Sequence, residues 1–151
     1  MTVPDVRPIR EAPGFQHAGK DEYYYRPLVA GETLMTYVAH VPPGGDMPPD
    51  QEEADQFELS LFMLDGELLA TIGGQDRVLR TGEGQHIPRG TPFGVRNTTA
   101  STASFVLSFA PTPHSGDVES MFDDARARGT RVWTPEELAP VIGRTIFPFR
   151  S

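Results

Sequence analysis

The chain of 151 residues contains no cysteine, so disulfides and thiolate metal sites are both excluded. Cations are scarce as well: 13 Lys and Arg stand against 21 Asp and Glu, a formal net charge of −8. Nucleic-acid binding rests on neutralising phosphates, so that class of partner is excluded, and an anionic membrane surface with it. Long apolar runs are missing. No stretch approaches the roughly 20 residues needed to span a bilayer, and the opening MTVPDVRPIREAPGF has no signal-peptide core. The expectation is a cytoplasmic protein. There is also no Gly-rich phosphate loop and no Gly-x-Ser-x-Gly nucleophile elbow.

Turn formers, in contrast, are plentiful. Gly and Pro number 15 each, scattered between short apolar runs as in all-β sandwiches and barrels. The length predicts a single domain over residues 1–151. Strands are predicted at 33–41, 57–64, 67–72, 76–81, 84–88, 93–97 and 103–110. In FELSLFML (57–64) the alternation sets Phe57, Leu59, Leu61 and Met63 on one face and Glu58, Ser60 and Phe62 on the other. Asp65-Gly66 and Gly73-Gly74 are hairpin signals. Past Pro113 the character changes. DVESMFDDARARG (117–129) has acids early, arginines late and Gly129 as a stop, which predicts a short helix. TPEEL (134–138) opens another, with Thr134 as N-cap, Pro135 at the first helical position and Glu137 completing a capping box. Both helices are expected to pack on the outside of a barrel.

Two stretches carry a sharper pattern. In GEGQHIPRGTPFGVRN (82–97), Gly82, Pro88, Gly90 and Asn97 are spaced as Gly, five residues, Pro-x-Gly, six residues, Asn. Upstream, PPGGDMPPDQEEADQFELSLFMLDGE (42–67) opens on a Pro-Gly-Gly turn and closes on Gly66. Together they resemble the two motifs of the cupins, small double-stranded β-helix barrels. The likeness spans roughly residues 30–112. It implies an all-β jelly-roll barrel over about that range, an N-terminal arm over residues 1–30, a helical tail over 113–151, and a homodimer.

The family's metal ligands do not carry over. The resemblance assigns the third histidine to Phe93 and the motif glutamate to Leu59. The His-x-His pair falls on Glu53 and Asp55 in the shorter register, or on Glu52 and Ala54 in the longer. Imidazole suits the transition metals such barrels hold, and two carboxylates offer too few oxygens for Mg²⁺ or Ca²⁺. The expectation is therefore no metal and no cofactor. One reading makes 46–58 a solvated acidic loop. The other sets one carboxylate at the mouth of an apolar pocket, where desolvation by Phe93 and Leu59 raises its pKa and fits it for general acid–base work.

The catalytic candidates are then Glu53, Asp55 and His86, the last because imidazole titrates near neutrality. Substrate-binding candidates are Leu59, Met63, Phe93, Tyr37 and His40. Parity on the strand at 33–41 lets only one of Tyr37 and His40 face inward. His17 and His114 lie outside the motifs and are expected on the surface, and the run YYYR (23–26) is expected to cover the barrel end or a dimer interface. The leading functional expectation is a metal-independent enzyme performing isomerisation, cyclisation or dehydration on a small organic molecule with an apolar or aromatic body. The alternative is a non-catalytic small-molecule binding or sensor protein. A third reading is a metal-dependent dioxygenase with unusual carboxylate ligands.

Overall fold

A computed structural model describes residues 3–17 and 23–142; residues 143–151 of the expected tail lie outside it. Within the described residues, strands β1 (Phe15–Gln16), β2 (Tyr24–Ala30), β3 (Met35–Val41), β4 (Asp46–Met47), β5 (Glu58–Asp65), β6 (Glu67–Ile72), β7 (Gln75–Arg80), β8 (Gly84–Ile87), β9 (Phe93–Arg96) and β10 (Ala103–Ala110) form two sheets. The larger runs β1-β2-β3-β10-β5-β8 and the smaller β4-β9-β6-β7. Every pairing is antiparallel. This is the all-β barrel that the alternation predicts, with helices α2 (Val118–Ala127) and α3 (Pro135–Ile142) after it.

The alternation works as expected on β5. Leu59, Leu61 and Met63 are buried while Glu58, Ser60 and Phe62 are exposed. Neighbouring strands continue the inner face through Tyr37, Ala39, Leu68, Ala70, Phe93, Val95, Phe105 and Leu107. Each such apolar side chain contributes about 1.5–3 kcal/mol when fully buried. Gly66 makes the β5–β6 corner at φ +91°, a conformation that side chains with a Cβ resist. Asn97 ends the second motif. Its amide donates to the Val41 and Ser101 carbonyls, both at 2.8 Å, and its Oδ1 accepts from the Thr99 backbone and hydroxyl. It is buried with its hydrogen bonds met, a joint between strands and no part of the chemistry.

Three segments differ from the sequence reading. The supposed arm contributes strands of its own: Tyr24–Ala30 pairs with β3 and Phe15–Gln16 pairs with β2, so the sheet begins well before residue 30. Second, 46–58 is not a plain loop. It holds β4 and a helical turn, α1 (Gln51–Ala54), whose N-cap Asp50 accepts from the backbone N–H of Glu52 and Glu53. Third, the outer face of the large sheet is covered. Tyr24 meets the edge of Trp133 at 5.1 Å, Gly14 bridges to Trp133, and the Thr102 hydroxyl donates to the Val141 carbonyl. The capping box of α3 forms as predicted, Glu137 N–H to Thr134 Oγ1 and Thr134 N–H to Glu137 Oε1. Helix α2 sits elsewhere than on the outer face: Phe122 stacks on Phe15 at 5.4 Å, and Phe15 pairs in register with Tyr25, which in turn lies opposite Ala39 of the inner face.

Candidate functional site

Between the sheets, at the end bounded by β4 and α1, lies a cavity of about 370 Å³. That size falls in the range of roughly 300–1,000 Å³ seen for small-molecule sites. The inner faces of the strands supply Tyr37, Leu59, Phe93 and Leu107; the segment after β4 supplies Met47, Pro48, Pro49 and Asp50; α1 adds Gln51, Glu53 and Ala54; and His17, Tyr23 and Thr91 complete the lining.

The rim is held by two contacts that the second motif makes possible. Gly90 donates its N–H to the Ala54 carbonyl at 2.8 Å and accepts from Gln51 Nε2 at 3.2 Å, so the turn at Pro88–Gly90 clips α1 in place. Gly94 lies directly under the rim. A Cβ there would come within 2.6 Å of Pro49 Cδ and 2.7 Å of the Met47 carbonyl, closer than packed atoms tolerate. The absence of a side chain at 94 lets the Pro-Pro segment descend onto the barrel.

The electrostatics single out two groups. Glu53 is an exposed residue at the cavity mouth, and partial burial of its carboxyl, then the nearby Asp50, raises its pKa. Tyr37 is buried on the inner face, its pKa well above that of a free phenol through burial, then through Tyr23, Glu53 and Tyr25. Its ring packs on Tyr25 at 5.1 Å and edge-on to Phe109 at 5.2 Å. The result is a fixed phenol that stays protonated beside a carboxyl that holds its proton more tightly than usual.

The structure brings Tyr37, Glu53, Leu59 and Phe93 to one cavity and sends the other candidates elsewhere. Asp55 caps the C-terminus of α1, exposed, and accepts from Gln51 Nε2 at 2.8 Å. The expectation of one working carboxylate left Glu53 and Asp55 as alternatives; on a helical turn residues two apart point about 200° from each other, so only one of them can face the cavity. His86 is exposed and bonded to Glu58 at 2.6 Å on the outer face. Its neighbour Ile87 points inward, and alternation turns His86 out. Met63 is sealed in the core and does not reach the lining. His40 faces away from the cavity, as the alternation requires once Tyr37 faces in. It is fully buried, its Nδ1 bonded to Ser104 Oγ at 2.7 Å and its Nε2 without a partner among the described residues. Burial, then the charge of Arg26, lowers its pKa to about 3.

Two lining residues escaped the sequence reading. His17, expected on the surface, stacks on Tyr23 with ring centroids 4.7 Å apart, donates its backbone N–H to the Tyr23 carbonyl, and buries an Nδ1 that has no partner among the described residues. Tyr23 itself, expected as a cover, belongs to the core cluster and lines the cavity. The missed signal was Gly31-Glu32, a turn between two runs of strand-forming residues. Read as a hairpin, it makes 24–30 a strand that sets Tyr25 on the inner face and Tyr24 on the outer.

The lining does not fit the metal that the resemblance implies. Leu59 and Phe93 present carbon where a carboxylate and an imidazole would be needed, and among the described residues no three His, Asp or Glu side chains converge to hold an ion.

Comparison with known proteins points one way on fold. The family model described as "Cupin domain" matches residues 37–109. Among solved structures, an RmlC-like cupin from Shewanella frigidimarina is 14% identical, covering 74% of this chain and 95% of its own, with a TM-score of 0.65. The polyketide cyclase RemF from Streptomyces resistomycificus is 18% identical, covering 80% of this chain and 94% of its own, with a TM-score of 0.63. KdgF from Halomonas is 15% identical over 64% of this chain and 86% of its own, with a TM-score of 0.55. No curated protein matches the chain.

Proposed function

The chain belongs to the cupin superfamily, and on that premise we propose that it is a metal-independent acid–base enzyme acting on a small organic molecule held in the barrel. The observation that carries this reading is the pairing on one cavity of Glu53, its pKa raised, with the protonated Tyr37. A carboxyl moved toward neutrality is a better proton carrier at working pH. A fixed phenol aimed at a carbonyl oxygen stabilises the charge that develops there.

The step is a proton shift. The Glu53 carboxylate takes a proton from the carbon next to a carbonyl. The C–H electron pair becomes a C=C bond, and the carbonyl π pair moves to oxygen, which accepts a hydrogen bond from Tyr37 O–H. The Glu53 acid then returns the proton at a second position. Isomerisation, cyclisation by the enol carbon and dehydration all begin this way. Leu59, Phe93, Leu107, Pro48 and Pro49 supply apolar walls, beside which charge interactions are stronger than in bulk water. Similarity to a polyketide cyclase is consistent with this use of the barrel, though the likeness is one of fold. The homodimer implied by the resemblance belongs to the same proposal; a light-scattering mass near twice 16.6 kDa would support it and a mass near 16.6 kDa would overturn it.

A neutral bicyclic ketone, 2-tetralone, tests the chemistry. Proton NMR in D₂O follows deuterium entering the carbon beside its carbonyl. The wild type should exceed the buffer rate, Glu53→Gln should lose about 100-fold, and Tyr37→Phe should lose a similar factor. Asp55→Asn, His86→Ala and added EDTA should change nothing. Equal rates in wild type and Glu53→Gln sink the acid–base reading, and binding without exchange makes the chain a binding module.

A further inference from the structure

A phenol that hydrogen-bonds a reacting oxygen has to be held in one place. Among the described residues, no side chain or backbone group hydrogen-bonds the Tyr37 hydroxyl, so its position rests on packing of the ring. That ring is gripped from both strands beside β3. On β10 the residue level with Tyr37 is Leu107, and Phe109, two positions along, meets the ring edge-on at 5.2 Å. On β2 the residue level with it is Pro27, and Tyr25, two positions along, reaches it at 5.1 Å. Long and aromatic side chains make such diagonal contacts, and both spacings are those of paired rings. Tyr25's own register partner is Ala39, whose small side chain leaves the Tyr25 ring room to lean toward Tyr37.

The two grips are not backed alike. Phe109 is buried on a strand paired on both sides, and Phe57 meets it edge-on at 5.6 Å. Tyr25 is only partly buried, and beyond its strand the sheet ends in the two residues of β1. Phe15 of that short strand backs it, with ring centroids 5.4 Å apart, and Phe122 of α2 stacks behind Phe15 at 5.4 Å. Ring contacts therefore run unbroken from the tail helix to the cavity, through Phe122, Phe15, Tyr25 and Tyr37. Arg128, the C-cap of α2, also lies near enough for its charge to act on the Tyr25 phenol.

Building on the role given to Tyr37 above, we propose that Tyr25 is a positioning residue of the site: its ring holds the Tyr37 phenol at the cavity, and helix α2, through Phe122 and Phe15, holds Tyr25. Tyr25 does not line the cavity and acts only through Tyr37. A misplacement of about 1 Å costs on the order of 100-fold in rate, so the tail helix sets the activity of a site it does not touch.

Two substitutions separate ring from hydroxyl. Tyr25→Phe keeps the ring, and Tyr25→Leu keeps only an apolar side chain. Carbon-13 relaxation of the Tyr37 ring reads its order without any substrate. That order should match wild type in Tyr25→Phe and fall in Tyr25→Leu. With 2-tetralone at saturation, Tyr25→Leu should lose at least about tenfold in deuterium exchange while the half-saturating concentration stays the same, and Tyr25→Phe should restore the rate. Combined with Tyr37→Phe, the Tyr25→Leu change should cost almost nothing further, because residues that act as one unit do not add. Where Tyr25→Leu does not fold, Phe15→Leu, which withdraws the ring behind Tyr25, is read in the same way. The proposal is overturned if Tyr37 keeps its order in the folded Leu variant, or if that substitution costs as much exchange without the Tyr37 hydroxyl as with it. A wild type that exchanges no deuterium ends the catalytic reading and leaves the order of the Tyr37 ring to decide the positioning.

Discussion

Glu53 and His40 show two opposite uses of burial on one small barrel. At Glu53, burial raises a carboxyl pKa at the cavity mouth, so folding opposes its charge and the site becomes suited to carrying a proton. At His40, burial drives the pKa down to about 3, well away from the cavity, and the consequence is for stability alone. The folded state refuses a proton that the unfolded chain accepts below its ordinary value of 6.5. The unfolded state therefore binds more protons, and stability falls as pH drops from about 6.5 toward 3. At pH 5 the loss is about 2 kcal/mol. Urea unfolding at pH 7.5 and pH 5 should show this loss, and His40→Gln should flatten the dependence. A wild-type midpoint that does not move over that interval would mean that His40 is reached by water.

At the scale of elements, the rim depends on what its neighbours lack. Gly94→Ala should force Pro49 and Met47 away from β9, because the new Cβ meets a ring carbon at 2.6 Å and a backbone oxygen at 2.7 Å. The expected cost is about 1–3 kcal/mol, with deuterium exchange on 2-tetralone falling more than stability alone explains. An unchanged unfolding midpoint would show that the rim yields freely. The strands were legible because period-two alternation survives in β5, β6 and β10. Strand β2 was not: Pro27 interrupts it, and three tyrosines in succession hide which face is which. The turn α1 was not legible either. Four residues are too few for a helical period, and its capping Asp50 reads as one acid among several. Without that turn, Glu53 and Asp55 stood as equal candidates for the one carboxylate at the mouth; its geometry turns Glu53 to the cavity and Asp55 away.

Across the whole molecule, the tail forms a second, smaller core at the β1–β2 edge that meets the barrel core through Tyr25. Phe122 of α2 is buried against Phe15, whose register partner Tyr25 also contacts Tyr37. Phe122→Ala should therefore cost about 3–5 kcal/mol and shift a single cooperative transition. Two separate transitions would mean that the tail folds apart from the barrel. The architecture was readable from turns, alternation and two glycine-spaced motifs. The site was only half readable, since His17 and Tyr23 reach the cavity through pairing of distant segments that leaves no local periodic mark.

The clip between Gly90 and α1 also bears on how this barrel could acquire a different chemistry. Leu59→Glu and Phe93→His would return two donors to the positions where the resemblance expects them. The remaining pair would have to come from 53 and 55, or from 52 and 54, and residues two apart diverge as long as Asp50 caps a helical turn and Gly90 holds the Ala54 carbonyl. Conversion to a metalloenzyme is thus a change of backbone before it is a change of side chains.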